Sequence, residues 1–168
     1  VLGIIGGTYA PEDESGDAHQ FTQNLAALCR DRGVEFRYET AVEAILTEGS
    51  RATGAAVRDP EGGRQVLDAD ACVVALGSYS PFLLDSVGIR VPVYPVKGYS
   101  VTIPLVRADA APTVCLTDES GKIAASRLDN RLRAAGTAEL TGYDTSLNDA
   151  RCEAILARIR EFFPEAGD

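Results

Sequence analysis

The residues of this sequence best suited to chemistry are small ones at the end of an apolar run. Residues 71–76 read A-C-V-V-A-L, and a run without alternating polar positions predicts a strand buried on both faces. Ligands of open α/β sheets lie at the edge where such strands end, so the backbone here is placed to approach a planar ligand. The residues at this point are Ala75, Leu76, Gly77 and Ser78. The alternative is an ordinary strand-to-helix turn in which Gly77 only relieves crowding.

A second candidate is the segment T-A-V-E-A-I at residues 40–45, which lies at the boundary of another predicted strand pair. Two such backbone segments can converge on one flat ligand, because main-chain N–H and C=O groups hold adenine-like and ribityl-like groups without a fixed side-chain motif. Two unremarkable strand ends would give the same pattern, and the residues alone leave both interpretations open.

The sequence gives little support for a metal site or for a reactive cysteine. One histidine and widely spaced cysteines without a C-x-x-C pair exclude a familiar zinc site. His19 lies in a polar first helical turn, which disfavours a Cys–His nucleophile pair. Three of the four cysteines fall at apolar positions of predicted elements and are expected to be reduced, buried thiols of a cytosolic protein: Cys29, Cys72 and Cys152.

Composition restricts the class of partner. The 168 residues include 16 basic and 25 acidic side chains, giving a net charge of -9. Such a chain repels phosphate backbones, so nucleic-acid binding is not expected. No apolar run approaches the roughly 20 residues that span a bilayer. With 45% hydrophobic residues the composition is typical of a globular protein.

The first half of the chain alternates helical and extended patterns. Asp17 is predicted to cap a helix over residues 18–32, and Gly33 stands where that helix should end. Strands are predicted at residues 34–38 and 41–47, and a hairpin at 51–58 and 65–67 around the turn D-P-E-G-G. This succession indicates an α/β (α+β) fold in which residues 1–90 form one region.

From Val91 the pattern changes to short β-rich runs separated by turn residues. Four strands are predicted, at residues 99–103, 113–117, 122–127 and 131–138, and they are expected to form an antiparallel sheet within a region covering 91–147. A helix capped by Asn148 and ended by Pro164 occupies the last region, 148–168.

The order of these motifs resembles one family. The motifs are, in order, V-V-A-L-G-S-Y-S, P-V-Y-P-V-K-G-Y-S-V-T-I-P and R-A-A-G-T-A-E-L-T-G-Y-D. Together they are similar to the middle of the FAD-dependent D-amino acid dehydrogenases, within the D-amino acid oxidase and glycine oxidase group. The resemblance covers nearly the whole chain. It implies part of an FAD-binding Rossmann-like domain joined to an antiparallel-sheet substrate domain, and oxidative deamination of D-amino acids to 2-oxo acids in the intact enzyme.

The resemblance also implies site residues. Val42 matches a valine that touches the adenine through its backbone, and Ala75, Leu76, Gly77 and Ser78 match a segment that passes close to the FAD. Because the P-V-K-G-Y stretch opens the substrate sheet beside the flavin, Lys97, Tyr99 and Arg127 are candidates for lining the substrate cavity. Cross-strand packing for Tyr99 and solvated charge for the other two are the alternatives. We expect the face bearing Tyr99 and Arg127 to point toward the flavin and to expose an apolar patch that a crystal contact or a dimer would cover.

The sequence departs from the family pattern in two places. It contains no G-x-G-x-x-G turn to set a pyrophosphate on a helix N-terminus, and no C-terminal glycine-rich segment with the carboxylate-binding arginine. We therefore expect an internal fragment that lacks FAD and is inactive alone, with no catalytic side chain identified.

Several alternatives stay open. One keeps the fold but acts on glycine or sarcosine-type amines, and another is a non-enzymatic binding or assembly module. The resemblance leaves the electron acceptor open, with a quinone as a candidate, and implies a cytoplasmic protein or one peripheral to the inner face of the cytoplasmic membrane.

Overall fold

The computed structural model describes residues 3–167. They fall into two compact units, one formed by Leu28–Pro95 and the other by the described residues on either side of that segment. Residues 1, 2 and 168 lie outside the described residues. Helices and strands both contribute, as the sequence predicted, and every strand pair among the described residues is antiparallel.

The first helix, α1 (Ala18–Asp31), has the ends that the sequence predicts. The Asp17 carboxylate accepts hydrogen bonds from the backbone N–H groups of His19 at 3.0 Å and Gln20 at 3.1 Å, which satisfies two donors of the first turn. At the other end Gly33 has a φ of 89°, and the Val34 N–H reaches back to the Cys29 carbonyl at 3.1 Å. This left-handed closure favours glycine and ends the helix.

The Leu28–Pro95 unit is built on a three-stranded sheet in the order β1-β2-β3. The strands are β1 (Ala41–Glu48), β2 (Arg51–Arg58) and β3 (Arg64–Asp68), which confirms the predicted strand and hairpin. Gly54 of β2 has a structural reason to lack a side chain, because a Cβ there would lie 2.1 Å from the Leu67 carbonyl oxygen. The close pairing of β2 with β3 thus requires glycine at this position.

Two of the strand predictions for this unit are wrong. Residues 71–76 are extended but pair with no described strand, and Val73 is 91% exposed. A strand buried on both faces needs neighbours on its edges, and the described residues provide none. Residues 34–38 also form no strand; there the Phe36 and Tyr38 rings stack at 5.8 Å.

The extended segment continues into a 3-10 turn (Gly77–Tyr79) and a short helix, α2 (Ser80–Asp85). The sequence predicts this turn from an extended segment into a helix near Ser80. Cys72 lies in the extended segment and is exposed, and Cys29 and Cys152 are partly exposed, so the expectation of buried thiols is wrong. All four cysteines are free thiols.

The other unit contains a four-stranded antiparallel sheet in the order β4-β7-β6-β5. Its strands are β4 (Lys97–Pro104), β5 (Leu116–Asp118), β6 (Ile123–Leu128) and β7 (Arg131–Glu139). All four predicted strands are present, although β5 is shorter than expected. A 3-10 turn at Ala108–Ala110 interrupts the link from β4 to β5.

One helix, α3 (Asp149–Phe162), packs against this sheet. Leu132 of β7 and Ile155 and Ile159 of α3 are the largest fully buried side chains and form the centre of the core. Asn148 occupies the predicted N-cap position, but its side chain does not cap the helix. The Asn148 amide instead donates to the Glu139 carboxylate at 3.3 Å.

Candidate functional site

The two faces of the four-stranded sheet have different residues and different environments. Tyr99 of β4 lies opposite Gly136 of β7, and Ile103 lies opposite Leu132, so the alternate residues of β4 share the face that α3 covers. Ser100 lies opposite Ala135 and belongs to the other face. Within residues 3–167, the second face is the one that α3 leaves uncovered.

The structure contradicts the expectation that the face bearing Tyr99 is open. Tyr99 is 4% exposed and is part of the core together with Ile155 and Ile159. The apolar residues that the sequence placed on this face are covered by α3 of the same chain rather than by a crystal contact or a dimer. The expected apolar patch is therefore absent from this face.

Arg127 lies on the same side of the sheet as Tyr99 but well away from it. It is opposite Leu132, whereas Tyr99 is opposite Gly136, and four residues along β7 correspond to roughly 13 Å. The Arg127 Nε donates to the Asp129 carbonyl at 3.0 Å. The structure thus brings Lys97 and Tyr99 together, but not Arg127 with them.

A polar cluster centred on Glu139 joins the edge of the sheet to α3. The Tyr99 hydroxyl donates to Oε2 at 2.7 Å and the Lys97 Nζ lies 3.1 Å from the same oxygen. The Arg151 Nε donates to Oε1 at 2.6 Å, and Lys97 also donates to the Ser146 carbonyl at 2.8 Å. The Glu139 side chain is 12% exposed, so these partners replace most of its water.

These contacts set the protonation states of the cluster. Hydrogen bonds from Tyr99 and Lys97 lower the pKa of Glu139 to about 2, against the desolvation that raises it. Desolvation would lower the pKa of Lys97, but its hydrogen bonds with Glu139 and Tyr99 outweigh this and raise the pKa. A carboxylate with so low a pKa is a poor general base near neutral pH. The cluster joins the ends of strands β4 and β7 to helix α3.

The open face of the sheet carries one residue that the sequence analysis did not select, Arg133 of β7. It is exposed, and its Nη2 donates to the Ser100 hydroxyl at 2.9 Å. Within residues 3–167 it forms no ion pair, whereas Arg131, two positions earlier, contacts Asp17 at 3.4 Å. The guanidinium borders a shallow concavity of about 590 Å³.

The residues around Arg133 are small or carry hydroxyl groups. Across the strands, one row of this face reads Thr102, Arg133, Ser126 and the next reads Ser100, Ala135, Ala124, Thr117. The sequence does predict that Arg133 and Leu132 lie on opposite faces of the sheet, because successive side chains of a strand alternate between its two faces. It does not predict which of the two faces the helix covers.

The residues predicted to hold the flavin lie in the Leu28–Pro95 unit. Val42 of β1 is 44% exposed and pairs with Val57 of β2, next to a shift in the register of the two strands. Gly77 has a φ of 56°, and a Cβ placed on it would meet no atom within 4 Å. The backbone at Gly77 is therefore open to the close approach of a flat group, which fits a flavin nucleotide.

The positions of these residues within the unit are compatible with one shared ligand. Helix α2, which follows Gly77–Tyr79, contacts β1, the strand that carries Val42. Residues 3–167 contain no group of three or more His, Cys, Asp or Glu side chains arranged to hold a metal. None of the helices in the described part of the chain has the length and apolar character needed to cross a membrane.

Sequence comparison identifies close relatives. The chain is 54% identical over 161 residues to a D-amino acid dehydrogenase of Dechloromonas aromatica, covering 96% of this chain and 38% of the relative. A D-amino acid dehydrogenase of Granulibacter bethesdensis is 48% identical over 165 residues, covering 98% of this chain and 38% of the relative. The chain thus spans well under half the length of these curated relatives.

Structure comparison shows the same fold in solved proteins. L-proline dehydrogenase from P. horikoshii matches with a TM-score of 0.73 and 14% identity over 87% of this chain and 39% of that one. Glycine oxidase from Bacillus cereus matches with a TM-score of 0.68 and 21% identity over 85% and 38% of the two chains. A family model described as FAD dependent oxidoreductase matches residues 2–168. This chain belongs to the FAD dependent oxidoreductase family.

Proposed function

We propose that this chain is part of a longer FAD-dependent D-amino acid dehydrogenase, which oxidatively deaminates D-amino acids to 2-oxo acids. The observation that carries the proposal is the 54% identity to a D-amino acid dehydrogenase over almost the whole chain. The flavin supplies the acceptor for the hydride that leaves the substrate α-carbon. The protein then has to bind, orient and exclude water rather than provide an acid or a base.

In this proposal the residues 1–90 contribute to FAD binding. Val42, together with Ala75, Leu76, Gly77 and Ser78, contacts the cofactor through the backbone. The open space above Gly77 and its left-handed φ of 56° support this assignment, because a side chain there would occupy the space that the ligand needs. The remaining flavin contacts come from outside this chain.

Residues 91–147 form the substrate region in this proposal, and residues 148–168 add the helix that supports its sheet. The open polar face of the sheet, rather than the face that α3 covers, is turned toward the substrate. The inclusion of Lys97, Tyr99 and Arg127 in the substrate cavity stays a prediction. Tyr99 and Lys97 can act there only through the Glu139 cluster, because Tyr99 is buried.

The electron acceptor and the location of the enzyme belong to the same proposal. Oxidation of a D-amino acid would require a final acceptor for two electrons, for which we propose a quinone at the inner face of the cytoplasmic membrane. A dimer is a further prediction. Each follows only if the dehydrogenase assignment holds.

The test is steady-state turnover of the full-length protein that contains this chain. Purified holoenzyme is assayed with a redox dye as acceptor and with D-alanine, L-alanine, glycine and sarcosine as substrates. The proposal expects turnover with the D-amino acid and little with its L-enantiomer. Faster turnover with glycine or sarcosine would favour the amine-oxidase alternative, and a full-length protein without bound flavin or turnover would favour a binding module.

A further inference from the structure

Thr137 of β7 has a backbone conformation that is unusual for its residue type. Its φ is 57°, in the left-handed region, which the two substituents on a threonine Cβ make unfavourable. Thr137 lies within a strand, whereas the other described non-glycine residues with a positive φ lie in turns: Glu39, Lys122 and Asp129. A conformation of this kind persists only where its surroundings hold it, and such positions cluster at functional sites.

This conformation belongs to a β-bulge between β4 and β7. Gly98 of β4 pairs with Ala138 of β7. The next residue of β4, Tyr99, pairs with Gly136, so Thr137 is left without a partner on β4. Because side chains alternate along a strand, one extra residue reverses the face on which the following side chains lie.

The bulge decides what each face of the sheet carries at this end. In a regular strand Glu139 would lie on the open face, since Gly136, three residues earlier, lies on the core face opposite Tyr99. The bulge turns Glu139 to the covered face instead, where the Tyr99 hydroxyl donates to its carboxylate at 2.7 Å. Ala138 lies on the open face opposite Gly98, and both border the concavity of about 590 Å³. A methyl group thus stands where a carboxylate would otherwise lie.

Helix α3 holds the bulge through one side chain, Arg151. Its Nη1 donates to the Thr137 hydroxyl and, at 3.5 Å, to the Ala138 carbonyl. Its Nε donates to the Glu139 carboxylate at 2.6 Å. One planar guanidinium therefore binds three successive residues, and its rigid fork of donors fixes their arrangement. These contacts offset the unfavourable φ of Thr137.

We propose that Arg151 is a positioning residue of the substrate region, which holds the bulge at Thr137 and so keeps Glu139 out of the concavity. This rests on the proposed function, in which the open face is turned toward the substrate. Without Arg151 the strand relaxes to the regular pairing, because Thr137 would keep its unfavourable φ with no hydrogen bond to offset it. The Glu139 carboxylate then enters the space that the substrate occupies.

The first experiment compares Arg151→Gln with the wild type in the 168-residue chain by NMR. Through-space contacts of the Tyr99 ring report which side chain of β7 lies on the covered face. The ring should contact the Glu139 side chain in the wild type and the Ala138 methyl group in Arg151→Gln. Arg160→Gln removes an exposed arginine of the same helix, and as the matched control it should keep the wild-type contacts.

A second change tests whether Arg151 acts through the bulge. Glycine adopts the φ of 57° without strain, so Arg151→Gln/Thr137→Gly should regain the wild-type facing. The contacts of Glu139 with Tyr99 and Lys97 are then enough to hold it. A double variant that keeps the facing of Arg151→Gln would overturn the proposal. Wild-type Tyr99 contacts in Arg151→Gln would also overturn it, as they would in Arg151→Lys should the first variant not fold, since lysine keeps the charge but loses the fork of donors.

Turnover of D-alanine by the full-length holoenzyme measures the consequence for the substrate. Arg151→Gln should lower kcat/KM by roughly 10- to 100-fold at unchanged flavin content, mainly by raising KM, and the double variant should recover to within about threefold of wild type. A loss equal to that of Arg160→Gln, a loss without recovery, or a loss accompanied by lost flavin would contradict the positioning role. If the full-length protein does not oxidise D-amino acids, the proposed function fails, and the NMR contacts still decide whether Arg151 sets the face on which Glu139 lies.

Discussion

Replacing neighbouring residues of β7 tests directly which face of the sheet is the core. Leu132 is 0% exposed and lies against the α3 residues Ile155 and Ile159, whereas Arg133, the next residue, is exposed. Leu132→Ala removes a buried isobutyl group and leaves a cavity, for which we expect a loss of about 3 kcal/mol in the free energy of unfolding. Arg133→Ala removes one exposed hydrogen bond and should change it by no more than about 0.5 kcal/mol.

The assay is urea unfolding of the 168-residue chain followed by the NMR signals of α3 amides, because the two compact units need not unfold together. With a slope of about 1–3 kcal/mol per M urea, Leu132→Ala should lower the midpoint by roughly 1–3 M. Arg133→Ala should lower it by no more than about 0.5 M. Similar midpoints for the two variants, or a larger effect of Arg133→Ala, would refute the assignment of the faces.

Three further predictions concern the Glu139 cluster and two glycines. Because the pKa of Glu139 is lowered to about 2, its contribution to stability is present above pH 4.5 and is lost as the pH falls toward 2; the stability difference between wild type and Glu139→Gln, measured by urea unfolding, should shrink over that interval. Gly77→Val should abolish flavin binding by the folded full-length enzyme, as read from its absorbance spectrum, since valine is strained at a φ of 56° and fills the open space. Gly54→Ala should accelerate amide hydrogen exchange in β3, because its Cβ would collide with the Leu67 carbonyl.

The prediction for Gly77→Val has a matched control variant, and each of the three predictions has a result that would contradict it. Gly88→Val introduces valine at a comparable φ of 76° with open space around it, so it matches the strain of Gly77→Val outside the proposed flavin contact. Equal flavin content in both variants would show that Gly77 is a plain turn. A constant stability difference for Glu139→Gln between pH 4.5 and 2, or unchanged β3 exchange in Gly54→Ala, would contradict the contacts on which those predictions rest.

Local patterns were sufficient to predict much of the fold. The alternation of apolar and polar residues predicted the strands of both sheets, and Asp17 and Gly33 predicted the ends of α1, since these signals depend on neighbouring residues only. Residues 71–76 show the limit of such signals. Their apolar run fits a doubly buried strand, but pairing requires partner strands, and none is present among the described residues.

The site was harder to predict than the strands. Period-2 alternation separates Tyr99 from Ser100 and Leu132 from Arg133, but it does not say which face a distant helix will cover. The choice of Tyr99 followed from its position in the P-V-K-G-Y motif, and its burial depends on α3, about 50 residues later in the chain. Arg133 becomes visible as a candidate only after that face has been excluded.

Anaerobic reduction of the flavin tests the dehydrogenase proposal most directly, because it requires no assumption about the electron acceptor. Full-length holoenzyme is mixed with D-alanine or L-alanine without oxygen, and the absorbance of the oxidised flavin is recorded. The account predicts that D-alanine bleaches the flavin while L-alanine leaves it oxidised. A flavin that binds fully but stays oxidised with every D-amino acid tested would contradict it.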